Sequence, residues 1–162
     1  KDKLLNQSVV FHIIQAPGVN SNQFQALISQ FNNVHICKKP LLSALQPMDL
    51  AIIASGTATL ECAATKTPMI VIYKMSVLSW FITKRFVKTS FASIVNIIAK
   101  KKLFPELLQK DLTAKNIIKH TNEIMKNTNY SLIASELEEL LASLDEGNAH
   151  QKTANYILNY EK

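Results

Sequence analysis

The chain has 162 residues, 48% hydrophobic and 19% charged, a balance that excludes intrinsic disorder and fits one globular domain burying roughly two-thirds of its unfolded surface. Eighteen Lys plus Arg against twelve Asp plus Glu give a formal net charge of +6, which favours anionic partners without choosing among phosphate, nucleic acid and acidic lipid. A membrane-spanning helix needs about 20 mainly apolar residues, and the strictly apolar runs at 50–54 and 69–73 are far shorter, so no bilayer span is expected.

The chain opens on Lys1-Asp2-Lys3-Leu4 with neither an initiator methionine nor a secretory leader pattern, and reads as a piece of a longer polypeptide. Val9-Val10-Phe11-His12-Ile13-Ile14 is β-branched and aromatic, the pattern of a buried strand, and Ala16-Pro17-Gly18 ends it. Asn20 or Ser21 then caps an expected helix whose apolar positions Phe24, Leu27, Ile28 and Phe31 keep helical spacing, before a short strand at 34–37. A short helix at 40–45, a strand at 49–55, a helix at 57–66 and a strand at 69–73 follow. Alternating apolar strands and helices predict a doubly wound, Rossmann-like α/β domain with a parallel sheet covered on both faces. Beyond Tyr73 the pattern predicts a helix over 76–88, an extended stretch over 93–98, and helices over 113–126, 130–144 and 149–160, so that 113–162 forms a helical tail on a single domain.

The segment richest in chemistry is the turn Ser55-Gly56-Thr57, where an apolar strand runs directly into a helix. Such a turn in an open α/β sheet presents unpaired amides and the positive end of the helix dipole, and Gly56 lets a ligand approach the backbone. Ser55, Thr57 and Thr59 would add hydroxyl donors suited to a phosphate or diphosphate. Glu61, one helical turn beyond Thr57, is placed to accept hydrogen bonds from vicinal sugar hydroxyls. An equally simple reading is a capped helix with Thr57 at its N-cap and Glu61 as a solvated acid. Neither a Gly-Lys-Ser/Thr phosphate loop nor a G-x-G-x-x-G run is present, which disfavours P-loop ATPases and dinucleotide binding.

From Ala54 onward the sequence resembles the C-terminal half of the lipid-A-disaccharide synthases, GT-B glycosyltransferases of lipopolysaccharide biosynthesis. The resemblance runs through Ala54-Ser55-Gly56-Thr57-Ala58-Thr59-Leu60-Glu61, Pro68-Met69 with the strand to Tyr73-Lys74, Lys84-Arg85-Phe86-Val87-Lys88, Ser93-Ile94-Val95-Asn96-Ile97-Ile98-Ala99 and Pro105-Glu106-Leu107-Leu108-Gln109, about half the chain. It implies an inverting, metal-independent transfer of a diacylglucosaminyl unit from a UDP donor to 2,3-diacylglucosamine 1-phosphate, with no cofactor. By the same resemblance Ser55, Gly56, Thr57 and Thr59 face the diphosphate, Glu61 the ribose, and Asn96 lies near the donor, where an ordinary turn amide is the alternative. The chain departs from the family at Val95, where proline is usual, and at Lys100, where glycine is usual. The Gly-Ser-Arg phosphate loop and the N-terminal acceptor domain with its catalytic acid have no counterpart here, so no catalytic residue is assigned. Two rival readings stay open: a non-catalytic or degenerate nucleotide-binding module, and another UDP-sugar GT-B enzyme related to the UDP-N-acetylglucosamine transferase of peptidoglycan synthesis.

Between Cys62 and Pro105 lie eight basic residues and no acid: Lys66, Lys74, Lys84, Arg85, Lys88, Lys100, Lys101 and Lys102. Trp80 and Phe81 beside Lys84, Arg85 and Lys88 form a candidate interfacial element, with aromatics at the headgroup boundary and cations on anionic lipid at about 1 kcal/mol each. The alternative is a core helix against the absent N-terminal domain. No nucleic-acid motif accompanies the basic residues, and nucleic acid is not an expected partner. Cys37 and Cys62 fit neither a disulfide framework nor a zinc site, which points to a reducing, cytoplasmic compartment, peripheral at most on the inner membrane. The four histidines lack metal-ligand spacing and read as structural, His12 within a buried strand pattern. The run 136–139 reads as a solvated acidic helix face.

Overall fold

The computed structural model describes residues 9–16, 18–20, 22–76, 85, 90–126, 130–144 and 149–160. Strand β1 (Phe11–Ile14), helix α1 (Asn22–Ile28) and strand β2 (Val34–Cys37) form a first β-α-β unit, and α2 (Leu41–Leu45) leads to β3 (Ala51–Ala54). Helix α3 (Ala58–Ala64) and β4 (Met69–Tyr73) follow, then α4 (Ile94–Ala99), β5 (Glu106–Leu108) and a 3₁₀ turn at Gln109–Asp111. Three helices close the order: α5 (Ala114–Lys126), α6 (Tyr130–Leu144) and α7 (Ala149–Tyr160). All strand pairing among the described residues is parallel, as expected, and the helices lie between and after the strands in a Rossmann-like α/β arrangement. The pairing divides into two sheets, β1-β2 and β3-β4-β5.

The core sits on one face of β3-β4. Ala51 and Ile53 of β3 and Met69 and Val71 of β4 point into it, meeting Cys62 and Ala63 of α3, Val95 of α4, Phe104, and Leu137 and Leu140 of α6. Helix α3 is its hub, packing on α2, α4, α6, β3 and β4. Small residues make that possible, since Cys62 and Ala63 let the helix axis come close to its neighbours. Helix α6, expected within a tail, supplies core side chains: Leu137 is fully buried.

Four sequence expectations change here. The stretch at 93–98 is helical, not extended. Ser93 caps α4 by accepting a hydrogen bond from the Asn96 amide, and Lys100 ends it in the left-handed region at φ 54°. Those end signals outweigh the β-branched run of Ile94, Val95, Ile97 and Ile98. The second change is β5, which was not expected; three residues after a proline are too short to carry a period. Third, β1 is not a buried strand, because Phe11 is half-exposed and His12 is exposed, leaving His12 beside His35 with ring centroids 5.9 Å apart. Fourth, two of the apolar residues expected to seat α1 are uncovered: Leu27 is 64% exposed and Phe31 is 54% exposed. A two-stranded sheet offers too little surface to cover either element. The helix expected over 76–88 lies outside the described residues apart from Ser76 and Arg85, and so do Trp80, Phe81, Lys84 and Lys88; Arg85 itself is exposed. Among the described residues no helix is long and apolar enough to cross a membrane.

Candidate functional site

The loop at Ser55-Gly56-Thr57 lies at the carboxyl end of β3, where open parallel sheets bind ligands. The Ser55 amide donates to Ile72 O at 3.0 Å, which extends the β3–β4 ladder one residue into the loop. Gly56 then adopts φ +145°, and a Cβ built there would meet nothing within 4 Å. Glycine is therefore needed for the backbone conformation and not for room. The first helical turn forms through Thr59 N to Gly56 O at 3.1 Å and Leu60 N to Thr57 O at 2.9 Å. Among the described residues, the amides of Gly56, Thr57 and Ala58 donate no hydrogen bond, so they are available to an oxyanion. Thr57 holds the N-cap position without a side-chain capping bond, and its side chain is exposed.

Two of the three hydroxyl donors expected around this loop are engaged within the fold. Ser55 Oγ donates to Ala92 O at 2.7 Å, and Thr59 Oγ1 donates to Gly56 O at 2.7 Å with Thr59 fully buried. Each hydroxyl has one proton, and both protons are committed to carbonyls. Thr57 alone presents a hydroxyl to the outside. Glu61 is partly exposed on the first turn and a half of α3, and its Cα–Cβ bond tilts back toward the loop as in any helix. Behind it, Cys62 is fully buried, and burial, with the Glu61 charge second, pushes its thiol up from 9.0 to about 12. A thiol held neutral in this way is a packing group.

Asn96 is likewise engaged within the fold. Its side chain is fully buried and saturated: Nδ2 donates to Phe104 O at 2.9 Å and to Glu106 Oε1 at 2.8 Å. Its Oδ1 accepts from the amides of Leu103 at 2.9 Å and Phe104 at 3.1 Å. An amide so occupied has no group left for a donor substrate, and its work is to fold the 99–105 turn onto α4. Glu106 completes the network, accepting from the amides of Ala92 and Ser93, each at 2.8 Å. Ser55, Ala92, Glu106 and Asn96 thus tie the loop after β3, the N-terminus of α4 and the start of β5 together. Sequence reasoning assigned Glu106 no role; its signal was that it is the first acid after the long basic stretch. Gln109, in the left-handed region at φ 50°, accepts from Met75 N at 3.4 Å and joins the ends of β4 and β5.

The basic stretch is partly matched from within. Lys101 pairs with Glu136 at 2.8 Å, and Lys66 pairs with Glu138. Two acids of the run on α6, Glu136 and Glu138, therefore meet lysines just beyond the ends of α4 and α3, while Glu139 is exposed as expected. Exposed pairs of this kind contribute about 0–1 kcal/mol each and mainly fix how α6 lies. No group of three or more His, Cys, Asp or Glu able to hold a metal occurs among the described residues.

Parallel strands with intervening helices and a small-residue turn at the carboxyl end of β3 define a Rossmann-like domain of the kind found in GT-B glycosyltransferases. The lipid-A-disaccharide synthetase family model matches residues 5–159, and the chain belongs to that family. It is 36% identical over 110 residues to the lipid-A-disaccharide synthase of Coxiella burnetii strain CbuG_Q212, covering 67% of this chain and 29% of the relative. It is 39% identical over 101 residues to that of Colwellia psychrerythraea, covering 60% of this chain and 26% of the relative. With the Cellvibrio japonicus synthase the identity is 32% over 137 residues, 82% of this chain and 35% of the relative. The chain thus spans about a third or less of the length of these relatives.

Proposed function

We propose that the chain is the UDP-sugar-binding part of a lipid-A-disaccharide synthase. The observation that carries the reading is the set of unpaired amides at Gly56, Thr57 and Ala58, aimed off the end of β3 in a chain of this family. The donor's diphosphate lies against these amides and the Thr57 hydroxyl, where the α3 dipole adds to the attraction. Glu61 accepts from the ribose hydroxyls. Ser55, Thr59 and Asn96 act one step back: Ser55 anchors the loop to Ala92, Thr59 braces the Gly56 carbonyl, and Asn96 with Glu106 holds the neighbouring turn.

The reaction served is transfer of a diacylglucosaminyl unit. The acceptor hydroxyl of 2,3-diacylglucosamine 1-phosphate attacks the anomeric carbon of UDP-2,3-diacylglucosamine, a new glycosidic bond forms with inversion, and the bond to UDP breaks. The loop stabilises the charge that builds on the departing diphosphate, and the family resemblance implies a transfer without a metal. The group that deprotonates the acceptor belongs to the part of the synthase outside this chain. Arg85, exposed and in no ion pair among the described residues, faces an anionic membrane surface on which the acylated substrates reside, together with Trp80, Phe81, Lys84 and Lys88 of the same stretch.

Calorimetric titration of the folded chain with UDP, with ADP as competitor, tests the reading. Saturable binding of UDP in preference to ADP is expected, and Glu61→Ala weakens it roughly tenfold, the worth of a charge-assisted hydrogen bond. A folded chain that ignores UDP, or a Glu61→Ala variant that binds it as well as the parent, overturns the assignment.

A further inference from the structure

His12 and His35 are distant in the sequence, and their spacing carries no ligand motif. The parallel ladder nevertheless sets them side by side, since β1 pairs with β2 in the register Phe11↔Val34, His12↔His35, Ile13↔Ile36 and Ile14↔Cys37. Side chains alternate between the two faces of a strand, so both imidazoles stand on one face of the pair. Their ring centroids are 5.9 Å apart, with planes tilted by 43°. Both residues are exposed, which leaves the rings within reach of a solute. Among the described residues neither ring has a hydrogen-bond or ion-pair partner, in contrast to His120, which Glu123 holds at 2.8 Å.

Two neutral imidazoles so placed can hold one ion between them. A zinc–nitrogen bond of about 2.0–2.1 Å puts each ring centroid about 3.2 Å from the metal. Around a tetrahedral ion two such centroids are about 5.2 Å apart, and at right-angled positions about 4.5 Å apart. The observed 5.9 Å is within about 0.7 Å of the tetrahedral value, a closure that small rotations of two unpartnered rings supply. Nitrogen donors suit zinc and its transition-series neighbours, whereas magnesium and calcium take oxygen. No third His, Cys, Asp or Glu joins the pair among the described residues, so the remaining positions go to water. Cys37 shares the face but lies opposite Ile14, two residues further along β2.

We infer that His12 and His35 form a two-histidine site for a zinc ion, which clips β1 to β2. The two ligands meet only in the folded ladder, so the free energy of binding adds to the stability of the β1-α1-β2 unit. That unit has the most to gain, because Phe11 of β1 and Leu27 of α1 are exposed and contribute little burial to hold it. Neither ring is oriented by a carboxylate or carbonyl behind it, and only two ligands come from the protein. The site is therefore an exchangeable one, unlike a closed structural centre with four protein ligands. This inference is independent of where a nucleotide binds.

The test is titration of the metal-free full chain with zinc, in competition with a chromophoric indicator, while histidine ring signals and amide exchange are followed by NMR. One zinc per chain is expected, with the ring signals of His12 and His35 moving together, those of His120 staying in place, and magnesium failing to compete. At free zinc a hundredfold above Kd, exchange through opening of the β1–β2 pair slows by up to about a hundredfold. His12→Gln and His35→Gln each weaken binding at least about tenfold, whereas Cys37→Ser changes it by less than about twofold. If either histidine variant does not fold by circular dichroism, the ring signals of the parent chain decide. No saturable binding, undiminished affinity in a folded histidine variant, or loss of binding in Cys37→Ser overturns the proposal. So do unmoved His12 and His35 signals, unchanged exchange along β1 and β2, or one zinc shared between two chains.

Discussion

Replacing Asn96 by alanine separates a folding role from a substrate role. The substitution strips the partners from two backbone amides, Leu103 N and Phe104 N, and from the Phe104 carbonyl, and it removes one of the three donors to the Glu106 carboxylate. An orphaned buried group costs about 1–3 kcal/mol. Leu103 is only partly buried, so water restores part of its loss, and the carboxylate keeps the amides of Ala92 and Ser93. The net destabilisation is about 4 kcal/mol, a large fraction of the roughly 5–15 kcal/mol typical of a domain. With a urea m-value of about 2 kcal/mol/M for a chain of this size, the unfolding midpoint followed by circular dichroism falls by about 2 M. Ile97→Ala, on the exposed side of the same helix, is the control and costs under about 1 kcal/mol. A midpoint shift below about 0.5 M in Asn96→Ala, with loss of UDP binding, would refute this reasoning and return Asn96 to the donor site.

Leu137→Ala is expected to lower stability by about 2–5 kcal/mol in the same assay while Leu132→Ala, at an exposed position of α6, costs under about 1 kcal/mol; equal effects would mean that α6 is not seated in the core. Gly56→Ala forces an L-residue to φ +145° and is expected to cost about 1–3 kcal/mol by strain alone, since nothing crowds the new methyl; an unchanged urea midpoint would contradict the loop conformation. Cys62 gives stability a pH dependence whose sign follows from its raised pKa. The unfolded chain releases the thiol proton near 9.0 while the folded chain retains it until about 12, so the contribution is complete below pH 9 and declines above it. The slope is at most about 1.4 kcal/mol per pH unit between those values, and Cys62→Ala, compared with the parent at pH 8, 9.5 and 10.5, is expected to lack it. Identical pH profiles would show that the thiol is not held neutral by burial.

The parallel α/β pattern was legible because β3 and β4 are pure apolar runs bounded by turn residues, and Met69–Tyr73 agrees residue for residue with the expected strand. What misled was chemistry that acts across the chain. The helix α4 is decided by one serine hydroxyl and one left-handed lysine, against a β-branched run that argues locally for a strand. Strand β5 exists because Val71, Ile72 and Tyr73 offer it a ladder, a fact about β4 that no window around 106–108 contains. The turn at Ser55-Gly56-Thr57 could be located from sequence, yet the destinations of its hydroxyls could not, because Ala92 is distant in the chain. The same holds for the acids of α6, whose lysine partners are 72 and 35 residues away.

The tie from Ser55 through Ala92 to Glu106 also bears on the thermodynamics of whatever binds the loop. A glycine-bearing turn left to itself must be immobilised when a ligand arrives, and the lost freedom is subtracted from the affinity. Here the turn is anchored on one side by the β4 ladder and on the other by the Ala92 carbonyl, so its entropy was surrendered when the chain folded. Occupancy should therefore leave the backbone where it stands, and the affinity of the loop reports the contacts themselves, undiminished by the work of assembling them.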